Sequence, residues 1–231
     1  MMLWNWNWIK NNFEKEMLMN CEKILLPEII KNKILDKTGM EKGNVIISMG
    51  RSSALENVAK IVYGINKKGL IFFDGCYYGN TCLASQVGGH GRICHSCEAF
   101  EVLTLENVII LEKGIEKYST IMGAAVVQPY TEYGKVGETV LKILRGSCTE
   151  NGLLLIDDET MSGPSETGKW MNIDLPVDMV ILGSDLVSDI YPVEALVVNH
   201  NIPVRISQEL IHPLIYSKIS DSLGRDYGEK K

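Results

Sequence analysis

The stretch GLLLIDDET, Gly152–Thr160, decides how the rest of the chain is read. Four consecutive aliphatic residues follow a glycine, without polar alternation. That pattern predicts a strand buried on both faces. The run stops at the carboxylates Asp157, Asp158 and Glu159. A carboxylate at a strand end can hold a cationic ring nitrogen, or it can cap a loop or helix. Adjacent side chains on a strand point opposite ways, so only one of Asp157 and Asp158 can face a given ligand.

Six further apolar runs lie outward from this one: Asn44–Ser48, Gly69–Phe73, Asn107–Leu111, Gly123–Gln128, Asp178–Leu182 and Glu194–Asn199. Most are also continuous. Helical patterns separate several of them. Ser53–Tyr63 reads as a helix opened by an S-x-x-E capping box of Ser53 and Glu56, and Thr139–Ser147 as another. The fold expected is α/β: a mostly parallel seven-stranded sheet, helices on both faces, joined by right-handed crossovers. Residues 1–43 read as an N-terminal helical or docking segment, with a helix or helix pair from Asn12 to Lys33 interrupted by Pro27. Residues 44–200 form the main α/β unit. Residues 201–231 read as a C-terminal helix, to about Ser222, and a solvated tail. No linker divides the chain into independent domains.

The 231 residues are 45% hydrophobic, enough for one sizeable core, with a net charge of -6. No basic stripe with interleaved aromatics is present, so nucleic acid is not an expected partner. No apolar run reaches the roughly 18 residues of a membrane span. The N-terminus lacks a signal-peptide pattern. The expected location is the cytoplasm, with six reduced cysteines. His90, Cys94, His95 and Cys97 are residue types that suit zinc or iron. However, the Cys-x-x-Cys pair has no second pair at a suitable distance, so no metal is expected. Trp4, Trp6 and Trp8 fall on one face of an extended segment. That face docks on the protein's own core or meets another subunit.

In open parallel sheets ligands bind beyond the carboxyl ends of the strands. After the first run comes MGRSS and a helix start, whose N–H groups suit a phosphate. After the second comes DGCYYGNT, where Tyr77 offers a flat ring and Gly79 a close approach. Each feature taken alone is better read as an ordinary capped helix or turn.

Taken together and in order, these pieces resemble the class III aminotransferases, the pyridoxal-phosphate family of ornithine and 4-aminobutyrate aminotransferases. The resemblance covers Asn44 to Asn199, roughly two-thirds of the chain. GRSSALENVAK is similar to the family's SGSEANEAALK, with Glu56 and Lys60 in register. YYG at Tyr77–Gly79 resembles YHG, and AAVVQP at Ala124–Pro129 resembles AVIVEP. GLLLIDDETMSGPSETG at Gly152–Gly168 resembles GxLLIxDEVxxGxGRTG. VDMVILGS at Val177–Ser184 resembles PDIVTLGK, and IYP at Ile190–Pro192 resembles GYP.

The resemblance implies the large-domain fold of fold-type I pyridoxal-phosphate transferases. It implies that the backbone around Arg51, Ser52 and Ser53 holds the cofactor phosphate. Tyr77 would stack on the pyridine ring, Asp158 pair with its nitrogen, and Thr160 pack on the other face. Four substitutions and a shortened chain oppose standard transamination. Ser184 stands where the family has its Schiff-base lysine, and a hydroxyl forms no imine. The nearest flanking lysines are Lys169 and Lys218. Gln128 replaces a glutamate, Glu166 an arginine and Tyr78 a histidine. The family's N-terminal segment and C-terminal small domain are mostly missing. The expectation is a degenerate homologue or pseudoenzyme with no catalytic residue at Ser184. It would act as a homodimer or beside an aminotransferase-like partner chain, without nucleic acid or membrane. The alternative is an enzyme of altered chemistry holding pyridoxal phosphate non-covalently.

Overall fold

The computed structural model describes residues 28–50, 52–79, 81, 83–84, 99–187, 192–204, 206 and 213–225. Strands β1 (Gly43–Met49), β2 (Gly69–Phe73), β3 (Ala99–Leu103), β4 (Met122–Val127), β7 (Leu154–Asp158), β8 (Met179–Leu182) and β9 (Val193–Asn199) form one sheet. Its order is β1-β9-β8-β7-β4-β2-β3. The pairs from β3 through β2, β4 and β7 to β8 are parallel, and β9 runs antiparallel to both β8 and β1. A two-stranded ribbon, β5 (Tyr130–Thr131) and β6 (Gly134–Lys135), follows β4.

The continuous apolar runs are strands because helices cover both sides. On one face, α1 (Glu28–Thr38) and α5 (Pro213–Leu223) pack Ile34 and Ile219 against Val45, Ile47, Val180 and Val197. On the opposite face, α2 (Ser53–Gly64) packs Val58 and Ile61 against Phe72, Val126, Ile156 and Ile181. Further along the sheet, α3 (Val108–Tyr118) and α4 (Glu138–Glu150) pack Leu111, Ile115 and Leu144 against Ile71, Ala125, Val127 and Leu155. Alternate residues of β4 and β7 therefore enter different cores, and each fully buried aliphatic contributes about 1.5–3 kcal/mol. This parity sends Asp158, two residues beyond Ile156, toward the α2 face, and Asp157 toward the α4 face.

The sheet has the expected seven strands, but not the expected seven segments. Asn107–Leu111 is not a strand. Asn107 is the N-cap of α3, and its side-chain oxygen accepts from the N–H groups of Ile109 and Ile110. The apolar run continues with helical spacing, burying Leu111 and Ile115. The missing strand is β3, AFEVL, paired parallel to β2. A short apolar run has no periodicity of its own, and the cap decided the matter.

The capping box expected on α2 also does not form. The N-cap is Ser52, in the left-handed region at φ 72°, and its side chain makes no capping bond. Ser53 Oγ donates instead to the Met49 carbonyl, and Glu56 Oε1 accepts from the Leu83 N–H. Among the described residues no helix is long and apolar enough to cross a membrane, and no cluster of three metal-ligating side chains occurs. Arg51, the tryptophans Trp4, Trp6 and Trp8, and the His90–Cys97 group lie outside the described residues.

Candidate functional site

A cavity of about 630 Å3 opens beyond the carboxyl ends of the parallel strands, between β7, β8 and the start of α2. Ser52, Tyr77, Asp158 and Thr160 all line it. Four of the residues singled out in the sequence thus come together. Ser53 lies one residue from the wall, on the first turn of α2. The backbone of Ser184 opens the short 3-10 turn Ser184–Val187 that follows β8.

Asp158 sits at the floor, 3% exposed. Its Oδ1 accepts from the Thr160 N–H at 3.1 Å and its Oδ2 from Gln128 Nε2 at 2.9 Å. Burial pushes its pKa up, and the bonds from Thr160 and Gln128 pull it part of the way back. The same Gln128 forms a two-way amide pair with Tyr77. Its Oε1 accepts from the Tyr77 N–H at 3.0 Å, and its Nε2 donates to the Tyr77 carbonyl at 2.5 Å. Gln128 thereby ties the loop carrying the half-exposed Tyr77 ring to the Asp158 carboxylate. A glutamate here would put a second negative charge beside Asp158 and could not donate while ionised.

Tyr78 plays a structural part. Its hydroxyl donates to the Val126 carbonyl at 2.9 Å and accepts from the Phe73 N–H at 3.2 Å, and its ring meets Phe72 edge-on. Burial holds this phenol well above its ordinary pKa.

The helix end of the cavity differs from the sequence expectation. The N–H of Ser52 donates to Glu194 Oε1 at 2.7 Å, and that of Ala54 to Glu194 Oε2 at 2.9 Å. The Ser52 N–H, expected to face a phosphate, therefore already holds a carboxylate of the chain itself, together with the Ala54 N–H. Glu194 reaches them from the start of β9 and is 6% exposed. Burial raises its pKa, while the backbone bonds from Ala54 and Ser52 oppose that shift. The hydroxyl of Ser52 is buried without a partner. Gly79 closes over it at φ +100°, where an added Cβ would fall 1.5 Å from Ser52 Oγ, so only glycine fits.

Two further carboxylates line the cavity. Asp185, buried on the turn after β8, accepts from the Ser165 N–H at 3.3 Å, and Glu166 stands exposed. Among the described lining residues there is no lysine, arginine or histidine. Asp157, on the other side of β7, does not reach the cavity. Glu194, Gln128 and Asp185 were not read as site residues. For Glu194 a signal did exist: one charged residue at the head of an otherwise apolar strand.

No protein-family model matches the chain. Among curated proteins it is 29% identical over 207 residues to the mitochondrial ornithine aminotransferase of Drosophila ananassae, which covers 81% of this chain and 45% of that one. It is 26% identical over 203 residues to the acetylornithine aminotransferase of Clostridium acetobutylicum, covering 84% of this chain and 51% of the other. Among solved structures, the ornithine aminotransferase of Toxoplasma gondii, which has partial pyridoxal-phosphate occupancy at its active site, superposes with a TM-score of 0.74. It has 19% identity over 88% of this chain and 53% of that one, which establishes the fold. The chain spans about half the length of the curated relatives it matches. The curated proteins it matches are ornithine and acetylornithine aminotransferases, and its fold is that of the solved transaminases it superposes on.

Proposed function

We propose, from this homology to the ornithine and acetylornithine aminotransferases, that the chain is an aminotransferase-like protein without standard transaminase chemistry. It serves as a degenerate homologue, as a homodimer or beside an aminotransferase-like partner chain. The observation that carries this reading is the cavity's composition: four carboxylates and no amine among its described lining residues. Transamination through pyridoxal phosphate needs an amine to form the imine and move the substrate proton. Ser184, at the place the resemblance gives that lysine, supplies neither. The residues present fit only one end of the cofactor. Asp158, steadied by Gln128 and Thr160, suits a ring nitrogen, and Tyr77 suits a ring face. The helix end, with Glu194 on its N–H groups, does not suit a phosphate.

The test is to incubate the protein with pyridoxal phosphate, reduce with borohydride and weigh the intact chain. The expected result is no stoichiometric adduct at a single lysine, and no turnover of amino acid with 2-oxo acid. A one-site adduct would overturn the reading. A second reading, non-covalent retention of the cofactor, is favoured by the Asp158–Gln128–Tyr77 arrangement. It requires a saturable spectral change without an adduct.

A further inference from the structure

We infer that Glu194 is a built-in anion that makes this cavity reject phosphate-bearing ligands and admit their phosphate-free counterparts. The inference rests on the degenerate-pocket reading above and deepens it. The start of a twelve-residue helix presents N–H groups that no helical carbonyl can satisfy, and such an end attracts anions. At α2 both oxygens of one carboxylate take up this role, from a residue more than a hundred positions away in sequence.

Two further observations mark the place as a ligand wall rather than only a helix cap. Ser52 lines the cavity, and its Oγ is buried without a partner under Gly79. Gly79 approaches so closely that no side chain could replace its hydrogen. The chain thus retains an anion cradle with one hydroxyl to spare and fills it from within.

A phosphate entering the cavity would meet the Glu194 charge at the helix end. Asp158 and Glu166 add charge of the same sign around the lining, which has no lysine, arginine or histidine among its described residues. In a partly desolvated cavity like charges repel strongly. A phosphate-free ring or amine meets no such penalty. Glu194 is therefore a specificity-determining residue for what the cavity accepts.

The probe is inorganic phosphate, followed by phosphorus NMR titration at constant ionic strength. The proteins are the full chain and the variants Glu194→Ser, which empties the cradle, and Glu194→Gln, which keeps its size without charge. The expected result is no saturable binding by the parent and binding at least tenfold tighter by the variants. A variant that folds only when phosphate is present also supports the inference. Parent and variants binding phosphate equally would overturn it. So would variants that gain none, or that stay unfolded even with phosphate. A lysine adduct in the borohydride experiment sinks the degenerate reading, whereas this titration reports on Glu194 alone. The two failures are therefore distinguishable.

Discussion

Helices α2 and α3 begin with the same problem and solve it differently. Each has orphan N–H groups in its first turn. At α3, Asn107 lies in the extended region at φ -122°, and its side chain accepts from Ile109 and Ile110, two and three residues ahead. At α2, the cap residue Ser52 is left-handed and its hydroxyl makes no bond, while Glu194 arrives from β9. The local cap is a neutral group on the surface and leaves the rest of the fold alone. The remote cap brings a full charge to a cavity wall and ties that wall to the sheet. A helix end closed by its own neighbour is only a helix end. One closed from across the fold can select ligands.

The largest test of this contrast is Glu194→Ala. It strips charge-assisted bonds from two buried N–H groups, so unfolding free energy should fall by about 2–4 kcal/mol in urea denaturation. A loss no greater than that at the α3 cap would break the comparison.

Asp157 sharpens it, as a buried carboxyl without N–H donors. Burial, then the neighbouring Glu159 carboxyl, push its pKa well above the usual carboxylate range. Glu159 itself accepts from Ser162 Oγ at 2.5 Å and Asn172 Nδ2 at 2.9 Å, so the shared proton belongs on Asp157. The native state then keeps a proton that the unfolded chain releases. This contribution is complete below pH about 4 and drains away as pH rises through the raised native value, by up to about 1.4 kcal/mol per pH unit. Asp157→Asn should remove that slope. Its stability relative to the parent should improve as pH rises above about 4 in a denaturation series, and a pH-independent difference would contradict the acid pair.

Asn107→Ala should cost about 1 kcal/mol, seen as a lower melting temperature, because one local acceptor is lost. Ser53→Ala should change stability by less than about 0.5 kcal/mol. Its hydroxyl bonds only the Met49 carbonyl, at 3.3 Å. A loss near 1 kcal/mol would restore the capping box that the structure lacks.

The sheet was legible in sequence because strands buried on both faces leave uninterrupted apolar runs. β3 escaped because AFEVL carries Glu101 mid-strand, which interrupts the apolar run. Asn107–Leu111 misled because five apolar-rich residues have no period, and only the geometry of Asn107 separates a capped helix from a strand. Asp158 was legible as a residue type at a strand end. Its choice over Asp157 follows from the parity that places Ile156 against α2.

By itself, then, the sequence determined the α/β class, the order of most elements, and Tyr77, Asp158 and Thr160 at the strand ends. Burial pattern and local bonding are properties of neighbouring residues, so they are written along the chain. Tertiary structure alone decided what those residues face. Gln128 bonds Tyr77 across 51 positions, and Glu194 bonds Ser52 across 142. Contacts over such separations depend on strand register and sheet order, which no local pattern of residues encodes.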